Sequence, residues 1–97
     1  MRYDIFLTET AVGDLRRLRA SDRSEVRDAI ERFLRNDAER TSRSRIKRLQ
    51  GLMQPMYRLR IGDFRVYYDV SGGAVEILAV VPKSASAEWL GEHGALE

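Results

Sequence analysis

Apolar and polar positions along the chain repeat with two different periods, and each period marks an element. "YDIFL", Tyr3 to Leu7, is short and rich in bulky apolar side chains and predicts a first strand. Thr8 or Thr10 then caps a helix carrying Ala11, Leu15 and Leu18 on one face. "RASDRSEV" closes that helix and opens a second one. Asp22, followed by Glu25, has the form of a capping box. Val26, Ala29, Ile30, Phe33 and Leu34 follow at helical spacing and make the clearest amphipathic stripe in the chain. The two segments predict an antiparallel helix hairpin.

"NDAERTSRSR" has no apolar period and reads as a surface connection. "IKRLQGLMQPM" is ambiguous, because Pro55 argues against regular strand just before Met56. The period then becomes two. Met56–Ile61, Phe64–Val70 and Val75–Val81 predict a three-stranded antiparallel meander, joined by Gly62-Asp63 and Ser71-Gly72-Gly73. Pro82 ends the last strand, and Ser84 or Ser86 can cap a short tail helix carrying Trp89 and Leu90. The expected architecture is α+β, in the order β-α-α-β-β-β with a short C-terminal helix. An antiparallel sheet packs against the helix hairpin in a single domain over residues 1–97.

The alternation fixes a face. With Gly62 and Asp63 as the loop, Ile61 stands opposite Phe64, Arg60 opposite Arg65, and Arg58 opposite Tyr67. Tyr57, Leu59, Ile61, Phe64, Val66, Tyr68 and Val70 then form the core side against the helices. Arg58, Arg60, Arg65 and Tyr67 share the other side. Like charges placed opposite one another destabilise a strand pair, so three arginines with no acid among them favour an outside anion. Asp69, further along the same face, is expected to neutralise only part of the cluster. Tyr67 is available on this face to stack on a base. A plain solvated outer face, with arginine stems lying along apolar surface, is the alternative.

Charge distribution adds weight to the anion reading. The 97-residue chain has a net charge of only +2. Residues 40–65, however, hold eight basic groups against Asp63 alone, a local excess of +7. Residues 1–39 have a net charge of −1 and residues 66–97 of −4. Such a patch suits a polyanion, although a charged solvated face would carry the same excess. Fifteen of the seventeen basic residues are arginine, whose planar fork suits bidentate phosphate contact. The chain has no cysteine, which excludes a disulfide framework, a Cys-ligated zinc site and a thiol nucleophile. No Ser-His-Asp arrangement, metal-ligand spacing or phosphate-binding glycine loop is present, so no cofactor is expected. The run "ILAVVP" is too short to span a bilayer, and the N-terminus lacks a signal-peptide pattern. The expectation is a cytoplasmic protein with no membrane partner.

"IKRLQG", then "YRLRIGDFRVYYDV", then a strand ending in "VVPK" together resemble the RelE/ParE superfamily of bacterial toxins, the toxin halves of type II toxin–antitoxin modules. The likeness covers nearly the whole chain. Its most specific part is a tyrosine–basic–x–basic, aromatic–Arg–x–x–Tyr pattern met by Tyr57, Arg58, Arg60, Phe64, Arg65 and Tyr68. In members that cut mRNA in the ribosomal A site, the resemblance implies metal-independent attack of the RNA 2′-hydroxyl on the adjacent phosphate. Basic side chains stabilise the charge that develops. Arg58 and Arg60 match the basic pair before the hairpin turn, and Arg65 matches the phosphate-binding arginine after it. With Tyr67 they form the expected catalytic set. Arg45, Lys47 and Arg48, ahead of the "LxG" element, and Lys83 are the expected RNA or ribosome contacts. The implied partners are a cognate antitoxin in a hetero-oligomer, the ribosome and mRNA.

The pattern is incomplete at the tail. Cleaving members often carry an arginine just past the last strand and a tyrosine near the C-terminus, where this chain has Ser84 and Leu90. Arginine stays protonated and is a poor base. Tyr67, Lys83 and His93 remain as proton-transfer candidates. His93 lies in "GEHGALE", which reads as a frayed tail, and Lys83 reads equally as a solvated strand end. The resemblance therefore also admits a non-enzymatic ParE-like poison of DNA gyrase, or a RelE-like member with weak or lost cleavage.

Overall fold

Thr8 begins the first helix by turning its own backbone out of helical geometry (φ −69°, ψ 164°) while its hydroxyl accepts the Ala11 N–H at 3.1 Å. The computed structural model, which describes residues 1–97, runs β1 (Asp4–Leu7), α1 (Glu9–Arg17), α2 (Ala20–Leu34), β2 (Ile46–Arg48), β3 (Leu52–Gln54), β4 (Tyr57–Ile61), β5 (Phe64–Ser71), β6 (Ala74–Pro82), a 3-10 turn (Lys83–Ala85), α3 (Ser86–His93) and β7 (Ala95–Leu96). The main sheet has five strands in the order β1-β6-β5-β4-β2, and β3 and β7 form a separate two-stranded ribbon. β1 lies parallel to β6, and the remaining pairs are antiparallel. No helix is long and apolar enough to cross a membrane.

The α+β architecture and the β4–β5 hairpin follow the sequence. Ile61 pairs with Phe64, Arg60 with Arg65, Leu59 with Val66 and Arg58 with Tyr67. Gly62 takes φ +52°, a left-handed conformation that a residue without Cβ adopts at little cost. Val26, Ile30, Leu34, Leu59, Val66 and Tyr68 belong to one buried cluster of 17 residues between the helix hairpin and the sheet. Phe33 and Phe64, also expected in the core, are partly buried at its margin.

Other elements differ from expectation. The second helix does not begin on a capping box: it starts at Ala20, with Arg19 as N-cap and no side-chain cap bond. Only Leu18 and Arg19 separate the helices, so the backbone resumes helical geometry before Asp22 is reached. Asp22 instead sits in the first turn, 3.7 Å from Arg19. The ambiguous "IKRLQGLMQPM" contributes β2 at the sheet edge and β3 in the ribbon. The tail is not frayed, because His93 ends α3 and β7 then pairs with β3, Leu52 against Leu96. Ser86 opens α3 as a helical residue; its N-cap is Ala85, with no side-chain cap.

A bulge decides which side chains of β6 face where. Tyr67 pairs with Ala79 and Tyr68 with Ile77, leaving Leu78 as the extra residue. Val75, Ile77 and Val80 can therefore all join the helix-side core. Ala79 and Val81 turn to the opposite face, where they pack with Leu49 and Tyr67. The start of α1 clasps the bulge. The Thr8 hydroxyl donates to the Ile77 and Leu78 carbonyls at 3.1 and 3.0 Å, and Asp14 accepts the Val80 N–H at 2.9 Å.

Candidate functional site

On the face away from α1 and α2, the period of two sets Arg58 and Arg60 on β4 beside Arg65 on β5, because Leu59, Ile61 and Val66 fill the helix side. Across β2, Lys47 pairs with Arg58. Lys83 is brought in by the end of β6, where its N–H donates to the Asp63 carbonyl at 2.6 Å. These five residues, with Arg43 and Arg45 from the preceding loop, line a cleft of about 160 Å³ completed by Ser42, Ser44 and Ile46. No carboxylate lines it. The chain's ion pairs lie elsewhere, at Asp14–Arg17, Arg19–Asp22 and Glu31–Arg35.

Arg65 is the buried member, 6% exposed. Its Nη1 donates to the Gly62 and Phe64 carbonyls, both at 2.9 Å, which fixes the fork against its own turn. Desolvation lowers its pKa, and the positive charges of Arg58 and Arg60 lower it further. The Nε of Arg58 is buried with no hydrogen-bond partner in the chain. A buried N–H donor without an acceptor is costly, and on a cation the cost is greater still. An oxyanion lying between these guanidinium groups would relieve the like-charge repulsion.

The remaining predicted site residues separate into two groups. Lys47 and Lys83 are exposed on the cleft. Arg45 reaches its edge but is engaged, donating to the Arg60 carbonyl at 2.9 Å with its guanidinium 4.6 Å from the Phe33 ring centre. Arg48 does not face the cleft. It pairs opposite Tyr57 on the helix side, donates to the Met56 carbonyl at 2.7 Å and lies 5.3 Å from the Tyr57 ring centre. Neighbouring strand side chains leave the backbone on opposite faces, which sends Arg48 to Tyr57 and Lys47 to the cleft. Asp69 does not temper the arginines either. Its two oxygens accept from the Gln54 side chain at 2.7 Å and the Met56 N–H at 2.8 Å, tying the approach to β4 onto β5.

Tyr67 shares the arginine face but is 0% exposed, so its ring is not open to a base. The Trp89 ring stacks on it at 4.8 Å and 11°, and its hydroxyl shares a hydrogen bond with that of Ser86. His93 stacks on Trp89 in turn, at 5.0 Å and 20°, and does not line the cleft. The loop residues Arg43, Ser42 and Ser44 complete the cleft without belonging to any motif of the sequence. The charge excess over residues 40–65 was the signal that contained Arg43.

Residues 5–86 match the family model described as the ParE toxin of the type II toxin–antitoxin system parDE. No curated protein matches the chain. Among solved structures, the RelB–RelE antitoxin–toxin complex from Methanococcus jannaschii aligns with a TM-score of 0.67 at 21% identity, covering 87% of this chain and 96% of that one. The toxin–antitoxin complex RelBE2 from Mycobacterium tuberculosis aligns at 0.64 with 26% identity, covering 84% and 92% respectively. The archaeal RelE–RelB complex from Pyrococcus horikoshii aligns at 0.58 with 26% identity, covering 86% and 97%. With the family match spanning most of the sequence and the same α+β arrangement in these structures, the chain belongs to the ParE toxin family of type II toxin–antitoxin systems, within the RelE/ParE superfamily.

Proposed function

We propose that this toxin acts on messenger RNA at the ribosome, as a metal-independent endoribonuclease that blocks translation. The observation that carries the reading is the cationic cleft, with no carboxylate partner for Arg58, Arg60 or Arg65. In this mechanism the 2′-hydroxyl oxygen bonds to phosphorus, the bond from phosphorus to the 5′ oxygen breaks, and the guanidinium groups bind the extra negative charge as it develops. The 2′-hydroxyl proton passes to water. Lys83, exposed on the cleft, supplies a proton to the departing 5′ oxygen, a task arginine performs poorly because it does not readily release its own. Lys47 supplies further charge for the strand.

Tyr67 takes no part in this chemistry; it anchors α3. Tyr67→Phe keeps the stack on Trp89 and removes only the bond to Ser86. Stability should fall by about 1 kcal/mol in urea unfolding, with toxicity on induction unchanged. Lost toxicity in a variant that melts normally would return Tyr67 to the reacting groups.

The antitoxin-bound state of the related solved complexes supports a cognate antitoxin for this chain as well, in a hetero-oligomer. An acidic antitoxin segment would complement the cleft. A second reading, non-enzymatic poisoning of DNA gyrase, is favoured by the ParE family match. Primer-extension mapping of cellular mRNA after brief induction separates the two. Cuts within translated codons, in frame, are expected; intact mRNA with DNA-damage signalling would transfer the function to gyrase.

A further inference from the structure

Proteins recognise RNA bases by stacking them on exposed rings or by hydrogen-bonding their edges with oriented side chains. The cleft offers neither. Seven of its ten lining residues are cationic, and Ile46 is its one apolar side chain. No ring lines it: Tyr67 is covered by Trp89 and Trp89 by His93, whose exposed ring is not part of the lining, and Phe64 packs on the helix-side core. Tyr57 is stacked on Tyr68 and covered by Arg48, while Phe33 carries Arg32 and Arg45. Phe6 is exposed, but it lies on β1, at the opposite edge of the sheet from β2.

Edge reading fares no better. The Ser42 hydroxyl oxygen already accepts the N–H groups of Arg45 and Ile46. Guanine is the base a guanidinium fork can read through its O6 and N7. Here Nη1 of Arg65 is held by the Gly62 and Phe64 carbonyls and Nη1 of Arg45 by the Arg60 carbonyl, which turns one end of each fork toward the backbone. The side chains of Arg43, Arg58, Arg60, Lys47, Lys83 and Ser44 have no carboxylate or hydrogen-bond partner in the chain to hold them in register with a base edge.

We infer that the cleft recognises the sugar–phosphate backbone of an RNA strand without regard to base, so that any base or codon preference comes from whatever presents the strand. The inference rests on the proposed RNA reading and narrows it: affinity comes from phosphate charge, and this chain contributes none of the sequence selectivity.

The test is fluorescence anisotropy of the purified full-length chain with labelled 2′-O-methyl strands of equal length, which cannot be cut. The strands are all-A, all-U, all-C, a G-containing strand, and one whose central sugars carry no base. Dissociation constants within about threefold of one another, with equal salt slopes, are expected across the set. Arg58→Gln and Arg60→Gln should each weaken all strands equally. A tenfold preference for the G-containing strand, or a tenfold loss when the bases are removed, would overturn the inference while leaving the RNA reading intact. Failure to bind any strand would overturn the inference, while the RNA reading stands or falls on the primer-extension map.

Discussion

Replacing Arg65 by methionine should remove most of the toxin's activity while leaving its stability within about 1 kcal/mol of wild type. Two effects oppose each other in the fold. The substitution deletes the bonds from Nη1 to the Gly62 and Phe64 carbonyls, at a turn where water can replace part of what is lost. It also relieves the desolvation of a 6% exposed cation and its repulsion with Arg58 and Arg60, the causes that lower its pKa. Methionine keeps much of the buried volume opposite Val81. The guanidinium remains protonated in both folded and unfolded states over the accessible pH range, so this balance should not vary with pH.

Function has no such compensation. A preorganised donor aimed at developing charge typically contributes a hundredfold to a thousandfold in rate, and a loss of about that size is expected. Arg65→Lys should restore part of it, since a point charge cannot reproduce a planar fork. Growth after induction, with thermal melts of the purified variants, decides the matter. A fully toxic Arg65→Met variant that melts like wild type would remove the arginine cleft from the mechanism and move the gyrase reading ahead.

Tyr68 carries the largest expected effect on stability. Its side chain is fully buried, its ring stacks on Tyr57 at 5.4 Å, and its hydroxyl donates to the Ala38 carbonyl at 2.7 Å. That bond ties the loop after α2 to the middle of the sheet. Tyr68→Ala should cost about 3–5 kcal/mol, the range for deleting a buried aromatic side chain. In a domain stabilised by roughly 5–15 kcal/mol, this is enough to deplete the folded toxin in cells. Tyr68→Phe keeps the ring but leaves a buried carbonyl unpaired, for about 1–3 kcal/mol.

The same residue predicts a pH dependence. Burial raises the Tyr68 pKa, and the bond from Tyr3 to Glu39 raises that of Tyr3. A group with a raised folded pKa contributes its full stability below its unfolded pKa. Above about pH 10 the unfolded chain ionises first, so the urea midpoint should decline as pH rises further. Tyr68→Phe should make that decline shallower. An unchanged slope would mean that this hydroxyl does not remain neutral in the folded protein.

What the sequence determined is what depends on near neighbours. Thr8 can cap α1 because the N–H its hydroxyl accepts, that of Ala11, lies only three residues on. The β4–β5 register follows from a two-residue turn between alternating runs, and it carries Arg58, Arg60 and Arg65 onto one face by period alone. The tertiary structure decided whatever depends on a distant partner. Ile46–Arg48 is a strand because β4 offers it an edge, and the resulting pleat assigns Lys47 to the cleft and Arg48 to Tyr57. The Leu78 bulge exists where Thr8 and Asp14, far earlier in the chain, bond the backbone of β6, and nothing within "AVEILAVVP" signals it. Tyr67 has the spacing of an open-face residue, yet the β3–β7 ribbon and α3 bring Trp89 over its ring. Asp69 has the spacing of a counter-ion and is instead held by Gln54 and Met56. Periodicity specifies the direction in which a side chain leaves the backbone, but what it meets there is set by segments that only the folded chain brings together.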